Sequence, residues 1–184
     1  NILPFHRRRA LVKAFFESQF ANSPLLNLFH SRQLHNKINS LHYRALKFVY
    51  QDEISTFHEL LIKDNSVTIH HRNIQYLAIE LFKVKSKCAP FLIKEIFTMR
   101  DIPENSMVAN LRSQIDFYNY HNPKSVYYGT ETLRTLAPKI WDIIPFEIKN
   151  STTLNTFKSK IKKWVPINCP CRLCRNYIEG VGFI

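Results

Sequence analysis

The sequence predicts a mainly α-helical protein: a helical bundle, then an irregular, partly extended segment, then short C-terminal helices. Three observations carry this expectation. Apolar residues recur at helical spacing through most of the first hundred positions. Glycine is scarce, at 3 in 184 residues, which disfavours Gly-rich phosphate cradles, dinucleotide-binding turns and a tightly turned β-sandwich. Beyond residue 103 the helical period gives way to turn residues, aromatics and short apolar runs. Hydrophobic residues make up 45% of the chain, enough to build a core.

In order, residues 5–21, "FHRRRALVKAFFESQFA", form a first helix, with Pro4 near its start. "NSPLL" interrupts it. Residues 33–50, "QLHNKINSLHYRALKFVY", form a stronger helix. At about 100° per residue, Leu34, Ile38, Leu41, Ala45, Phe48 and Val49 share its apolar face. Lys37, Arg44 and Lys47 run along one flank of that stripe. "STFHELLIKD" is a short helix with Ser55 as its N-cap. "SVTIHHRNIQYLAIELFKVKSK" is the longest, buried along Ile74, Leu77, Ala78, Leu81 and Phe82. "CAPFLIKEIFTM" comes next, with Pro90 in its first turn. The stretch 103–133 is extended segments or a loose hairpin turning at Gly129. "ETLRTLAPKIWDIIPFEIKN" is helical pieces cut by Pro138 and Pro145. In the last helix, "STTLNTFKSKIKKWV", Leu154, Phe157, Ile161, Trp164 and Val165 share an arc. The divisions expected are 1–102, 103–165 and a Cys-containing tail, 166–184.

Net charge is +12, unevenly placed. Residues 1–50 hold eight Lys/Arg against one acid; residues 156–184 hold six against one; the middle is balanced. Basic ends around a neutral centre suggest contact with a polyanion, most simply nucleic acid; a soluble basic surface without a ligand is the plainer alternative. No apolar run reaches the roughly 18 residues of a membrane span, so no membrane partner is expected. The apolar stretch after Arg7–Arg9 is broken by Lys13 and Glu17, unlike a signal peptide. The chain is expected to be intracellular, nuclear or cytoplasmic, and a fragment of a longer protein.

No catalytic constellation assembles. Acids are scattered, Asp52 and Glu53 point apart, and neither G-x-S-x-G nor H-E-x-x-H occurs. His70 and His71 sit side by side at a helix start without sharing a face, the pattern of a partly exposed first turn rather than a ligand pair. "CPCRLC" places Cys169, Cys171 and Cys174 within six positions, with Cys88 far upstream. Cys-x-Cys-x-x-Cys offers three of the four ligands of a zinc site. The fourth is not local. Cys88, any of the eight histidines, or a second chain could complete the set through the fold. Arg172 and Arg175 are expected to lower the thiol pKa values, favouring metal binding and oxidation. Cys169 and Cys171 are too close for an unstrained disulfide.

Four stretches in order carry a resemblance: "LPFHRRRALVKAFFESQF…PLLNLFHSR…NKINSLHYRALKFVYQD", "LLIKDNSVTIHHRNIQYLAIELFKVK", "YYGTETLRTLAPKIWDIIPFEIKN" and "FKSKIKKWVPINCPCRLCRNYIEGVGFI". Together they resemble the region beyond the polymerase palm in reverse transcriptases of jockey-like non-LTR retrotransposons. The chain departs from that pattern at Asn22, Ser23, Asn27, Tyr43 and Ala137. The resemblance implies a thumb-like module and C-terminal extension that hold template and primer by their backbones. The family's aromatic-x-Asp-Asp motif belongs to the palm, and no Asp-Asp pair occurs in this chain; polymerisation is therefore not expected of it alone. The expected nucleic-acid contacts are Arg7, Arg8, Arg9, Lys13, Lys37, Arg44 and Lys47, with Lys158, Lys162, Lys163, Arg172 and Arg175 as a second set. Expected partners are an RNA/DNA template–primer and the upstream palm; zinc is the candidate cofactor. The competing functions are a protein-interaction scaffold docking on the palm, through the aromatic-rich segment 103–135, and a small zinc-binding adaptor.

Overall fold

A computed structural model describes residues 3–97, 132–166, 168–171 and 173–174, and the backbone of 177–178 and 182–183. The described residues are mainly helical. The expected extended segment and its turn at Gly129, the boundary at 102/103, Arg172 and Arg175 lie outside them. Backbone contacts group the chain as Asn1–Asn73 and Ile74–Ile184. The division falls within a helix, Ile69–Lys85, whose residues up to Asn73 belong to the first group and those from Ile74 onward to the second.

In the first group, α1 (Phe5–Val12) starts at Pro4, whose carbonyl accepts from the Arg7 and Arg8 amides. It runs through a π-helical turn, Lys13–Glu17, into α2 (Ser18–Ala21). The wide turn inserts about one residue and rotates the helix beyond it by about 100°. Glu17, on that turn, is buried and meets Arg9 at 2.5 Å and Arg72 at 2.8 Å. Arg9 also pairs with Asp64 at 3.0 Å, and the Tyr50 hydroxyl donates to Asp64. Burial alone would raise the Glu17 pKa, but the two guanidinium groups hold it below the usual carboxylate range.

The second long helix, α3 (Arg32–Tyr50), is capped by Ser31, whose hydroxyl accepts from the Leu34 amide. It ends at Gln51 in the left-handed region, φ 54°. Its inner face is His35, Ile38, His42, Leu46 and Val49. That face is rotated by roughly 70° from the apolar stripe expected from sequence, at 100° per residue. Ile38 and Val49 are inside as expected, but Leu34, Leu41 and Phe48 remain 44%, 50% and 48% exposed. The rotation comes from two histidines that a count of apolar residues treats as polar. His42 is wholly buried between the Phe16 and Phe57 rings, each 5.4 Å away. His35 meets the edge of the His70 ring at 5.4 Å.

The next helix, α4 (Phe57–Lys63), begins at Thr56, not Ser55. Thr56 and Glu59 form a reciprocal capping box. Ser55 instead donates its hydroxyl to Asp52, which also accepts from the Ile54 and Ser55 amides. These bonds hold the Asp52 carboxyl well below its ordinary range. Leu46, Leu60 and Leu61 then pack with Tyr43, Tyr50 and Phe57.

Burial without compensation makes His42 a pH sensor for this packing. Neither ring nitrogen has a hydrogen-bond partner among the described residues. Desolvation by burial pushes its pKa down to about 4, with Arg72 and Arg9 acting in the same direction and Glu17 and Asp64 against it. The folded state therefore takes up its proton later than the unfolded state as pH falls. Stability is complete above the unfolded value near 6.5 and is lost progressively down to about 4. The expected loss across that window is up to about 3 kcal/mol. Chemical denaturation at graded pH should show it, and His42→Phe should remove it.

The third long helix, α5 (Ile69–Lys85), begins with the Thr68 hydroxyl accepting from the His71 amide. Ile74, Leu77, Ala78, Leu81 and Phe82 are buried, as their spacing predicts. A short α6 (Phe91–Ile96) starts after Pro90, which is its N-cap rather than a first-turn residue. In α7 (Leu133–Ile143), Pro138 lies inside a continuous helix and does not cut it. Its neighbours Leu136, Ala137, Ile140 and Trp141 are all buried, so packing offsets the roughly 3 kcal/mol of an interior proline. Pro145 does separate α7 from α8 (Phe146–Lys149). The Thr153 hydroxyl caps α9 (Leu154–Lys163) by accepting from the Thr156 amide. Phe157 and Ile161 are fully buried; Phe157 stacks on Phe82 at 4.2 Å and near Trp141 at 6.3 Å. Trp164 and Val165 lie past the end of α9, and Val165 is exposed rather than part of its buried arc. Two short strands, β1 (Tyr177–Ile178) and β2 (Gly182–Phe183), pair antiparallel. No described helix is long and apolar enough to cross a membrane.

Candidate metal centre and basic surface

The tail that carries the cysteines is tied to α5 where it leaves α9. The Gln75 side-chain amide, on the second turn of α5, donates to the Lys162 carbonyl at 3.3 Å and the Trp164 carbonyl at 2.7 Å. Pro166 is buried next, then Cys169. Pro170 separates Cys169 from Cys171, and the Cys171 carbonyl accepts from the Cys174 amide at 3.2 Å, closing a tight turn. Leu173 is buried at that turn. Among the described residues none of the three forms a disulfide; Cys169 and Cys171 are buried and Cys174 half-buried.

One ring nitrogen of His70 lies with the three sulfurs, all four donor atoms falling within 4.8 Å of one another. His70 is on the first turn of α5 and is buried, not a partly exposed helix start as its sequence position suggests. His71 lies beside it, ring centres 6.0 Å apart. The fourth cysteine, Cys88, is exposed, and its thiol donates to the Ser86 carbonyl.

The thiol pKa values run opposite to the expectation from Arg172 and Arg175. Hydrogen bonding to Cys171, with burial, pushes Cys169 up to about 12. Hydrogen bonding to Cys169 and Cys171 pushes Cys174 up as well. Three neighbouring thiols sheltered from water share protons more readily than they carry three negative charges. A divalent cation reverses this balance, because a coordinating thiol gives up its proton.

Helical geometry sorts the expected nucleic-acid contacts. Residues 7, 8 and 9 advance about 100° each around α1, so the triplet cannot all face water. Arg7 and Lys13 are exposed. Arg8 is buried, its Nε donating to the Val49 carbonyl at 3.0 Å and a terminal nitrogen to the Leu3 carbonyl. Arg9 is held by Glu17 and Asp64. These two arginines serve the interior of the first group rather than a phosphate surface. On α3, Lys37 and Arg44 are exposed. Lys47 instead donates to the Glu53 carbonyl and carboxylate and sits 4.7 Å over the Tyr43 ring. On α9, Lys162 and Lys163 are exposed and Lys158 is half-buried.

His70 escaped sequence reasoning because its partners lie about a hundred positions away and no local spacing links them. Comparison of the chain with protein families, with curated proteins and with solved structures returns no match in any of the three.

Proposed function

We propose that this chain is a thumb-side, C-terminal region of a non-LTR retrotransposon reverse transcriptase, and that it holds template and primer by their phosphate backbones. The observation that carries the reading is the exposed pair Lys37 and Arg44, on the flank of α3. They lie about 10 Å apart along the helix axis, beside the half-exposed apolar residues Leu34, Leu41 and Phe48. Arg7 and Lys13 add exposed charge in the same group, and Lys162 and Lys163 are exposed on α9 in the other. The ordered resemblance of four stretches and the mainly helical fold support the same assignment. In this reading catalysis belongs to a palm elsewhere in the parent protein, and the module works in the nucleus or cytoplasm. Its soft sulfur and nitrogen donors suit zinc as a bound cofactor.

The test is a set of substitutions. Changing Lys13, Lys37 and Arg44 to alanine should weaken binding to every sequence alike. The dependence of log K on log salt should flatten by about 2 to 3 units, close to one for each phosphate that is no longer neutralised. A second reading, docking onto the palm as a scaffold, draws on the exposure of Leu34, Leu41 and Phe48. Under that reading the triple variant binds nucleic acid as the parent chain does.

A further inference from the structure

We propose that His70 is the fourth ligand of a closed, structural Cys3His zinc site with Cys169, Cys171 and Cys174. The inference rests on the zinc assignment above and goes beyond it by naming the ligand that no local motif contains.

Donor chemistry selects the ion. Three thiols and one imidazole suit zinc and exclude the hard cations, magnesium and calcium, which take oxygen. The spacing is close to what a tetrahedral ion requires. With Zn–S near 2.3 Å, ligand atoms on a tetrahedron stand about 3.8 Å apart. The widest separation here is 4.8 Å, so closure needs movements on the order of 1 Å.

Each ligand is already held. His70 is on a helix whose first turn is capped by Thr68, and His35 meets the edge of its ring. Cys171 and Cys174 share a hydrogen-bonded turn. The start of the tail is fixed by Gln75, five residues beyond His70 on the same helix. Four protein donors complete a tetrahedron and leave no position for a reacting water, the mark of a structural rather than a catalytic site. Loading exchanges three thiol protons for the ion and leaves the centre with one net negative charge. Exposed, idle tail thiols would have no reason to converge in the interior on a histidine from a distant helix.

The experiment is cobalt(II) titration of the whole reduced chain, with zinc competition and metal analysis. The parent chain should bind about one ion, with the intense visible bands of tetrahedral cobalt and thiolate-to-cobalt charge transfer. His70→Ala should weaken binding by at least about 100-fold, more than the loss of an outer-shell partner, and change the visible bands. His70→Cys should keep the tetrahedral intensity and strengthen the charge transfer, since sulfur replaces nitrogen; this variant decides the matter where His70→Ala fails to fold. Unchanged affinity and bands in His70→Ala, or unchanged charge transfer in His70→Cys, overturn the assignment of His70 while leaving a cysteine-held ion standing. Less than about 0.2 ion per parent chain, against the one a structural knuckle takes, overturns the zinc assignment as well. Nucleic-acid binding by the same preparations is read separately and bears on the proposed function alone.

Discussion

Replacing Glu17 with alanine should cost the first group of helices about 2 to 4 kcal/mol. Removing one member of a buried ion pair typically costs about 3 to 5 kcal/mol, because the remaining charge is left without compensation. The lower range applies here because the partners can rehydrate in part: the Arg9 and Arg72 side chains keep 26% and 24% exposure, against 9% for Glu17. Glu17→Gln should be milder, since the amide oxygen still accepts from one guanidinium. Because the folded pKa of Glu17 is depressed, its stabilisation is present above the ordinary carboxylate range and is lost as pH falls through the folded value. Urea denaturation followed by far-UV circular dichroism measures both effects. Full stability in Glu17→Ala would show that the Arg9–Glu17–Arg72 arrangement contributes nothing net.

The second large effect is expected at Phe157. Its ring is fully buried and stacks on Phe82 and near Trp141, joining α5, α7 and α9. Phe157→Ala should destabilise this core by about 3 to 5 kcal/mol, combining the transfer energy of the ring with the cavity left behind. The exposed Lys162→Ala on the same helix is the control and should change stability by less than about 0.5 kcal/mol, as surface substitutions do. Trp141 lies beside the substituted ring, so its fluorescence reports the transition directly. Equal unfolding midpoints for the two variants would remove Phe157 from the centre of the core.

The differences between sequence and structure have identifiable causes. The inner face of α5 was legible because Ile74, Leu77, Ala78, Leu81 and Phe82 are apolar and helically spaced. On α3 the same method placed the face wrongly, because His35 and His42 are buried and no hydropathy pattern counts them. Pro138 reads as a helix break, yet the apolar residues around it keep the helix continuous. The basic triplet at residues 7–9 reads as one charged patch, whereas successive helical positions send Arg8 inward and Arg9 to two carboxylates. In "CPCRLC" the metal-binding chemistry is legible from three close thiols, but the histidine beside them is set only by tertiary packing. Glu17 gave no signal, because its partners, Arg9 and Arg72, are brought to it by the π-helical turn and the start of α5.

The central claim, that the chain grips nucleic acid by its backbone, is tested most directly by salt titration. The whole chain is bound to two template–primer duplexes of unrelated sequence at graded salt. With Arg7, Lys13, Lys37 and Arg44 as the exposed contacts of the first group, log K should fall linearly with log salt with a slope of about −3 to −4. Both duplexes should give the same line. A slope near zero, or no binding even at low salt, would contradict the account.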